Sequence, residues 1–221
     1  MGATGLIERL DSMVAARHIL THPFYQDWNA GRLTRDALRD YAAQYYRHVD
    51  AFPRYLSAIH SRCEDIETRQ ILLENLIDEE RGEQNHPELW MRFAEELGVS
   101  REEVLATVPR QMTSDLVETF MELSRDGSIA AGLAALYVYE SQMPKVAQTK
   151  IDGLKRFYGV ESDDALAFFA IHREADLNHA RAGARLIERV VEKQGHEAEV
   201  IEAADRAIGA LWSMLDGMQR A

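Results

Sequence analysis

The chain is written almost entirely in the helical period. Apolar residues recur every three or four positions from "GLIERLDSMVAARHIL" (5–20) onward, and no sustained two-residue alternation predicts a strand. The first pattern predicts a helix stopped by His22-Pro23. A longer one begins after Gly31 with Thr34 as its cap, runs through "TRDALRDYAAQYYRHVDAFPRYLSAIH", and is expected to kink at Pro53. "ETRQILLENLIDEERG" predicts a helix closing near Gly82, and "PELWMRFAEELG" one opened by Pro87 and closed by Gly98. Ser100 and Glu103 then spell a capping box.

Two later patterns differ from these amphipathic ones. "SIAAGLAALYVYE" is apolar almost all round, the mark of a helix buried at the centre of a bundle. Its successor is expected from about Pro144 to Phe157. "DDALAFFAIHREADLNHARAGARLIERVVEKQG" predicts a long helix ending at Gly195, and a terminal helix carries Trp212. No repeat, low-complexity tract or proline-rich linker interrupts the series. The expectation is an all-α bundle, one domain over residues 1–221.

Composition narrows the partners. The 46% apolar content over 221 residues can supply a sizeable core. A formal charge of −12 argues against nucleic acid or an anionic membrane surface as the main partner. Cys63 is the single cysteine, so no intrachain disulfide is possible and a reducing compartment is expected. No apolar run approaches the ~20 residues of a membrane span, and the first residues lack a secretory pattern, which gives a cytoplasmic expectation.

The candidate chemistry breaks the apolar pattern. His172, Asp176 and His179 are spaced i, i+4, i+7, so they share one stripe with Phe168 and Phe169 a turn earlier. Imidazole and carboxylate on an inward face are costly unless paired or bound to a cation. In "NLIDEERGEQNHPELW", Glu79 continues the stripe expected of Leu72, Leu73 and Leu76, and His86 lies seven residues on, near enough to converge if the helix persists or bends at Gly82. Asp78, Glu80 and Glu83 read instead as a solvated acidic run. Glu140 ends the most apolar helix, either neutralised, paired with Lys145 or Lys150, or bound to a metal. Three carboxylates and three imidazoles make the ligand inventory of a two-metal iron or manganese centre: two divalent ions carry +4, three carboxylates return −3. Thiolates are absent from the set, against iron–sulfur clusters and structural zinc. A ferritin-like bundle would use Glu83-x-x-His86 and Asp176-x-x-His179 but gives His172 no role, so another helical bundle is preferred.

From "LLENLIDEERGEQNHPELWMRFAEELGV" outward, nearly the whole chain resembles the CADD family, the chlamydial death-domain-associating protein and its bacterial relatives. That family belongs to the haem-oxygenase-like group with TenA and PqqC. Its ligand pattern, Glu-x6-His, a Glu on a central helix, then His-x3-Asp-x2-His, falls on Glu79, His86, Glu140, His172, Asp176 and His179. The resemblance implies a haem-oxygenase-like bundle without haem, holding two metals (Fe/Fe or Fe/Mn) that use O2 and an external reductant. It departs from TenA thiaminases, whose catalytic cysteine Cys63 does not match, and from PqqC oxidases, which are metal-free.

The resemblance further implies formation of 4-aminobenzoate for folate by oxidative cleavage of the protein's own tyrosine, in a single turnover. The matching positions are Tyr25 as the consumed residue, Lys150 as amino donor and Tyr41 as an assisting tyrosine. A homodimer and an unknown electron donor are implied as partners. Two alternatives stand beside this: oxidation of a separate small molecule at the same centre, and a protein-interaction module for death domains, suggested by the family's name.

Overall fold

A computed structural model describes residues 3–219; the ends of the expected 1–221 span, residues 1, 2, 220 and 221, lie outside it. Its described residues form eleven α-helices and one 3-10 turn, with no strand among them. The helices are α1 (Ala3–Ala16), α2 (Pro23–Asn29), α3 (Arg35–Arg62), α4 (Ile66–Glu80), α5 (His86–Glu96), α6 (Arg101–Ala106), α7 (Gln111–Arg125), α8 (Ile129–Glu140), α9 (Met143–Phe157), α10 (Asp163–Gln194) and α11 (Glu197–Gln219).

Local chemistry sets most of the boundaries. Thr34 caps α3 and Ser128 caps α8 through their hydroxyls, and Ser100 with Glu103 closes the capping box of α6. α3 continues as one helix through Pro53. α1 ends earlier than its apolar pattern predicts. A 3-10 turn over Ile19–Thr21 follows, and the His22 imidazole then accepts a hydrogen bond from the Phe24 amide to cap α2. α7 was not singled out by the pattern and covers α3 and α11.

α8 lies at the centre: every residue from Ala130 to Glu140 is buried, and α7, α10 and α11 pack around it. A helix with no wet face needs neighbours on all sides, which its composition dictates. α3 crosses α4, α5 and α7 on one flank, while α9 lies against α10 and α2. The approach of α9 to α2 depends on Gly153, where a Cβ would sit 2.6 Å from the Trp28 indole. The chain therefore presents the C-terminal end of α8, the C-terminal end of α4, the start of α5 and the middle of α10 to one another.

Candidate metal centre

α4 stops at Glu80, and Gly82 turns the chain with φ +82°, a conformation that disfavours any side chain. Asn85 then caps α5, its carboxamide oxygen accepting from the Glu88 amide at 3.0 Å. Glu79 is thus the penultimate residue of one helix and His86 the first of the next. They meet across a tight turn, not along a persisting helix. The buried stripe of α4 is Leu72, Asn75 and Glu79, while Leu73 is exposed. Leu73 is one residue, about 100°, round from Leu72, which carries it off the stripe.

The structure brings the six residues into two triads. Glu79, His86 and His172 form one, and Glu140, Asp176 and His179 the other; within each, one ligand-type atom per residue lies within 4.8 Å of the others. Atoms on opposite sides of an ion with ~2.1 Å bonds stand ~4.2 Å apart, so the spacing suits a cation with little adjustment. The triads are contiguous, because Asp176 lines the same small void as Glu79 and His172.

Three observations fit these residues to metal ions. His86 Nδ1, Asp176 Oδ2 and His179 Nδ1 are buried without a hydrogen-bond partner among the described residues. His86 Nδ1 stands 2.7 Å from Glu79 Oε2, close but not aligned for a hydrogen bond. In His172 and His179 one ring nitrogen is already held from outside the cluster. His172 Nδ1 faces the Phe168 carbonyl at 2.6 Å, leaving Nε2 free, and His179 Nε2 faces the Asp78 carboxylate at 3.2 Å, leaving Nδ1 towards Glu140 and Asp176 at 3.9 and 3.7 Å. Outer hydrogen bonds that set the tautomer of a ligating imidazole are the usual support of a metal site.

Without a cation the cluster must hold protons instead. Burial pushes the Glu140 carboxyl up to about 8, opposed by His179 and by the Asn75 amide, which donates to Glu140 Oε1 at 2.8 Å. Burial pulls His179 down, but Asp176, Glu140 and Asp78 outweigh it and raise the imidazole to about 9. His86 behaves alike: burial lowers it and the Glu79 carboxylate more than restores it. Burial wins at His172, which is lowered. Neither Lys145 nor Lys150 pairs with Glu140 among the described residues.

Tyr25, Tyr41 and Lys150 form a second cluster, drawn from α2, α3 and α9. Lys150 Nζ donates to the Tyr41 hydroxyl at 2.7 Å, and that hydroxyl lies 3.2 Å from the Tyr25 hydroxyl. The ammonium carbon chain ends among the rings of Tyr25, Tyr41, Tyr45, Trp90 and Phe169, 5.0–5.6 Å from their centroids. Burial alone brings Lys150 down to about 7, and burial together with the neighbouring phenols raises Tyr25 and Tyr41 well above their ordinary range. Tyr41 stacks on Tyr45, whose hydroxyl donates to Tyr139 at 3.0 Å, and Tyr139 lines the void beside Glu79, His172 and Asp176. Phenols thus run from Tyr25 to the edge of the carboxylate–histidine cluster.

Sequence reasoning passed over three residues here. Asn75 holds Glu140, and its place on the buried stripe of α4 was a signal. Asp78 is 55% exposed, as a solvated residue should be, yet it orients His179 across α4 and α10. Tyr139 stands beside Glu140 in sequence, but one position along a helix turns a side chain by about 100°, so its contact with the cluster was not legible. Glu83 is exposed, which leaves the Glu-x-x-His reading of a ferritin-like site without its carboxylate.

Residues 9–221 match the model of the TENA/THI-4/PQQC family. A curated relative, the 4-aminobenzoate synthase of Chlamydia muridarum, is 46% identical over 210 residues, covering 95% of this chain and 88% of that protein. Two solved structures share the fold. A domain of unknown function with a haem-oxygenase-like fold from Shewanella denitrificans superposes with a TM-score of 0.80 at 17% identity, covering 100% of this chain and 93% of that one. A CADD-like protein of unknown function from Nostoc punctiforme gives 0.79 at 18%, covering 99% and 97%. The bundle is haem-oxygenase-like, and the chain belongs to the TENA/THI-4/PQQC family, in the branch of the chlamydial 4-aminobenzoate synthase.

Proposed function

We propose that this chain is an oxygen-activating dimetal oxidoreductase that forms 4-aminobenzoate from its own Tyr25. The observation that carries the reading is the Lys150–Tyr41–Tyr25 contact, a primary amine 2.7 Å from one phenol and that phenol 3.2 Å from the next, sealed in the core. The product is a benzene ring bearing one further carbon and one nitrogen. A tyrosine side chain has that carbon count, and the amine beside it supplies the nitrogen. The 46% identity to a 4-aminobenzoate synthase supports the same product.

Glu79, His86 and His172 would hold one ion, and Glu140, Asp176 and His179 the other. Two irons, or iron with manganese, would supply the oxygen-reducing chemistry that side chains lack. The remaining work falls to the chain. Tyr41 accepts the Lys150 hydrogen bond and orients the amine towards Tyr25. The aromatic wall of Tyr45, Trp90 and Phe169 excludes water and holds Lys150 near the midpoint of its titration at pH 7, so a neutral, nucleophilic nitrogen is available. O2 and an external reductant complete the reaction. The electron donor is a separate partner, and the working form is a cytoplasmic homodimer without haem.

The test is intact mass and peptide mapping of protein reconstituted with iron and manganese, before and after reductant and oxygen, with 4-aminobenzoate assayed in the same tube. Mass loss at Tyr25 matching the released product supports the reading. An intact Tyr25 with many turnovers on an added compound would favour a second reading, in which the centre oxidises a separate small molecule. The open cleft beside Glu140 and His179 is the observation on that side. A purely death-domain-binding function would survive replacement of His172 and Asp176.

A further inference from the structure

The two triads differ in access. Glu79, His86 and His172 are all buried, and the void that Glu79 and His172 line with Asp176, Tyr139 and Phe168 holds about 10 Å³, room for one water molecule at most. Glu140 and His179 instead lie at the inner end of a cleft of about 260 Å³, open to solvent between α4, α8 and α10. Its volume falls just under the roughly 300 Å³ at which drug-sized pockets begin, which suits a single-ring molecule.

The cleft is built at three levels. Its walls are aliphatic, chiefly Leu56, Leu72, Leu133, Leu136 and Leu186. At its inner end the Asn75 amide donates one hydrogen bond to Glu140 Oε1, and its carboxamide oxygen is buried with no partner among the described residues. A buried acceptor left unpaired is costly, and a ligand donor would satisfy it. At the mouth, Arg185 is exposed and makes no ion pair among the described residues. His179 and Arg185 are six residues apart on α10, about 9 Å along the axis at 1.5 Å per residue. Among the lining residues Arg185 is the one fixed cation, since His179 is engaged by Asp78.

We propose that this cleft binds a small aryl acid, with its ring among the leucines, its carboxylate at Arg185 and a hydrogen-bond donor on the opposite side of the ring at the Asn75 oxygen. 4-Aminobenzoate has these three features in that order. Choosing it as the occupant rests on the function proposed above, and bound there it would stand against Glu140 and His179 and restrict the approach of oxygen or reductant. The product of the reaction would then restrain the centre that makes it. Glu74 also lines the mouth, and its carboxylate opposes an anion there.

Calorimetric titration of the full, metal-free chain with 4-aminobenzoate, benzoate and aniline tests the site without any turnover. Saturable binding with one ligand per chain is expected, tightest for 4-aminobenzoate because benzoate lacks the donor and aniline the acid. Arg185→Gln should weaken 4-aminobenzoate about tenfold, the loss of one charge-assisted hydrogen bond, and leave aniline unchanged. Glu74→Gln should tighten the two acids, and Ala182→Phe should fill the cleft and remove binding of all three. No saturation at millimolar ligand, or affinities that Arg185→Gln and Ala182→Phe both leave unchanged, overturns the site. Binding by a chain that makes no 4-aminobenzoate when loaded would keep the site and overturn the function instead.

Discussion

Lys150 is buried with a single phenol oxygen as its hydrogen-bond partner, and burial is what lowers its pKa to about 7. Below that value the folded chain carries an uncompensated ammonium in its core. In the unfolded chain the amine keeps its proton up to about 10.4. Between the two values the unfolded state binds more protons, so this group's share of stability rises with pH across that window. Lys150→Met should raise stability by a few kcal/mol at pH 6 and by less as pH climbs towards 9, measured by urea unfolding, while abolishing 4-aminobenzoate formation. Asn75→Ala removes the amide that holds Glu140, and metal affinity should fall about 10- to 100-fold without loss of fold, checked by metal titration and circular dichroism. Residue-level legibility was uneven for a geometric reason. The shared face of His172, Asp176 and His179 follows from the helical repeat. The contact between Tyr25 and Lys150 joins residues 125 positions apart, and no periodicity reports such a meeting; only the resemblance singled them out.

Helices were legible where their ends carry chemistry: Thr34, Ser100 and Gly195 mark boundaries that the structure keeps. The close of α4 near Gly82 and the opening of α5 at Pro87 were legible too, but the way Glu79 meets His86 across that junction was not. A continuous helix and a turn can both bring residues seven apart together, and the choice lay in the backbone of Gly82. The seat of α2 on α9 is likewise invisible in sequence, since Gly153 reads as a flaw in an amphipathic helix. It is where Trp28 lies flush against α9, and Trp28 in turn touches Tyr25 and Tyr41, with ring centroids 6.2 and 5.8 Å away. Propensity alone would make Gly153→Ala stabilising by about 1 kcal/mol. Overpacking against the indole should reverse the sign, to a net loss of about 1–3 kcal/mol. Thermal unfolding measures that loss, and the yield of 4-aminobenzoate per chain should fall with it as the two phenols separate.

At the scale of the molecule, the protons held near Glu140 and His179 compete with any cation for the same atoms. Their values of about 8 and 9 place them on the metal-free protein at pH 7. Metal uptake must expel them, so apparent affinity should increase from pH 6 to pH 8.5. Calorimetry in two buffers of different ionisation enthalpy would count the protons released. Ions that bind the folded chain alone should also raise its melting temperature, and a chelator should reverse the rise. The burial of Tyr25 has an effect beyond chemistry. It lies 1% exposed, ringed by Phe24, Trp28 and Tyr41. On the proposed reading, reaction removes that ring from the middle of a close-packed interior and leaves a hole where it stood. Emptying an aromatic-sized site costs about 3–5 kcal/mol, a large share of the 5–15 kcal/mol that holds a typical domain together. The spent chain should therefore melt well below the fresh one and be cut faster by added protease. A protein that serves once would in this way carry its own mark of age, legible to any quality-control system that samples unfolding.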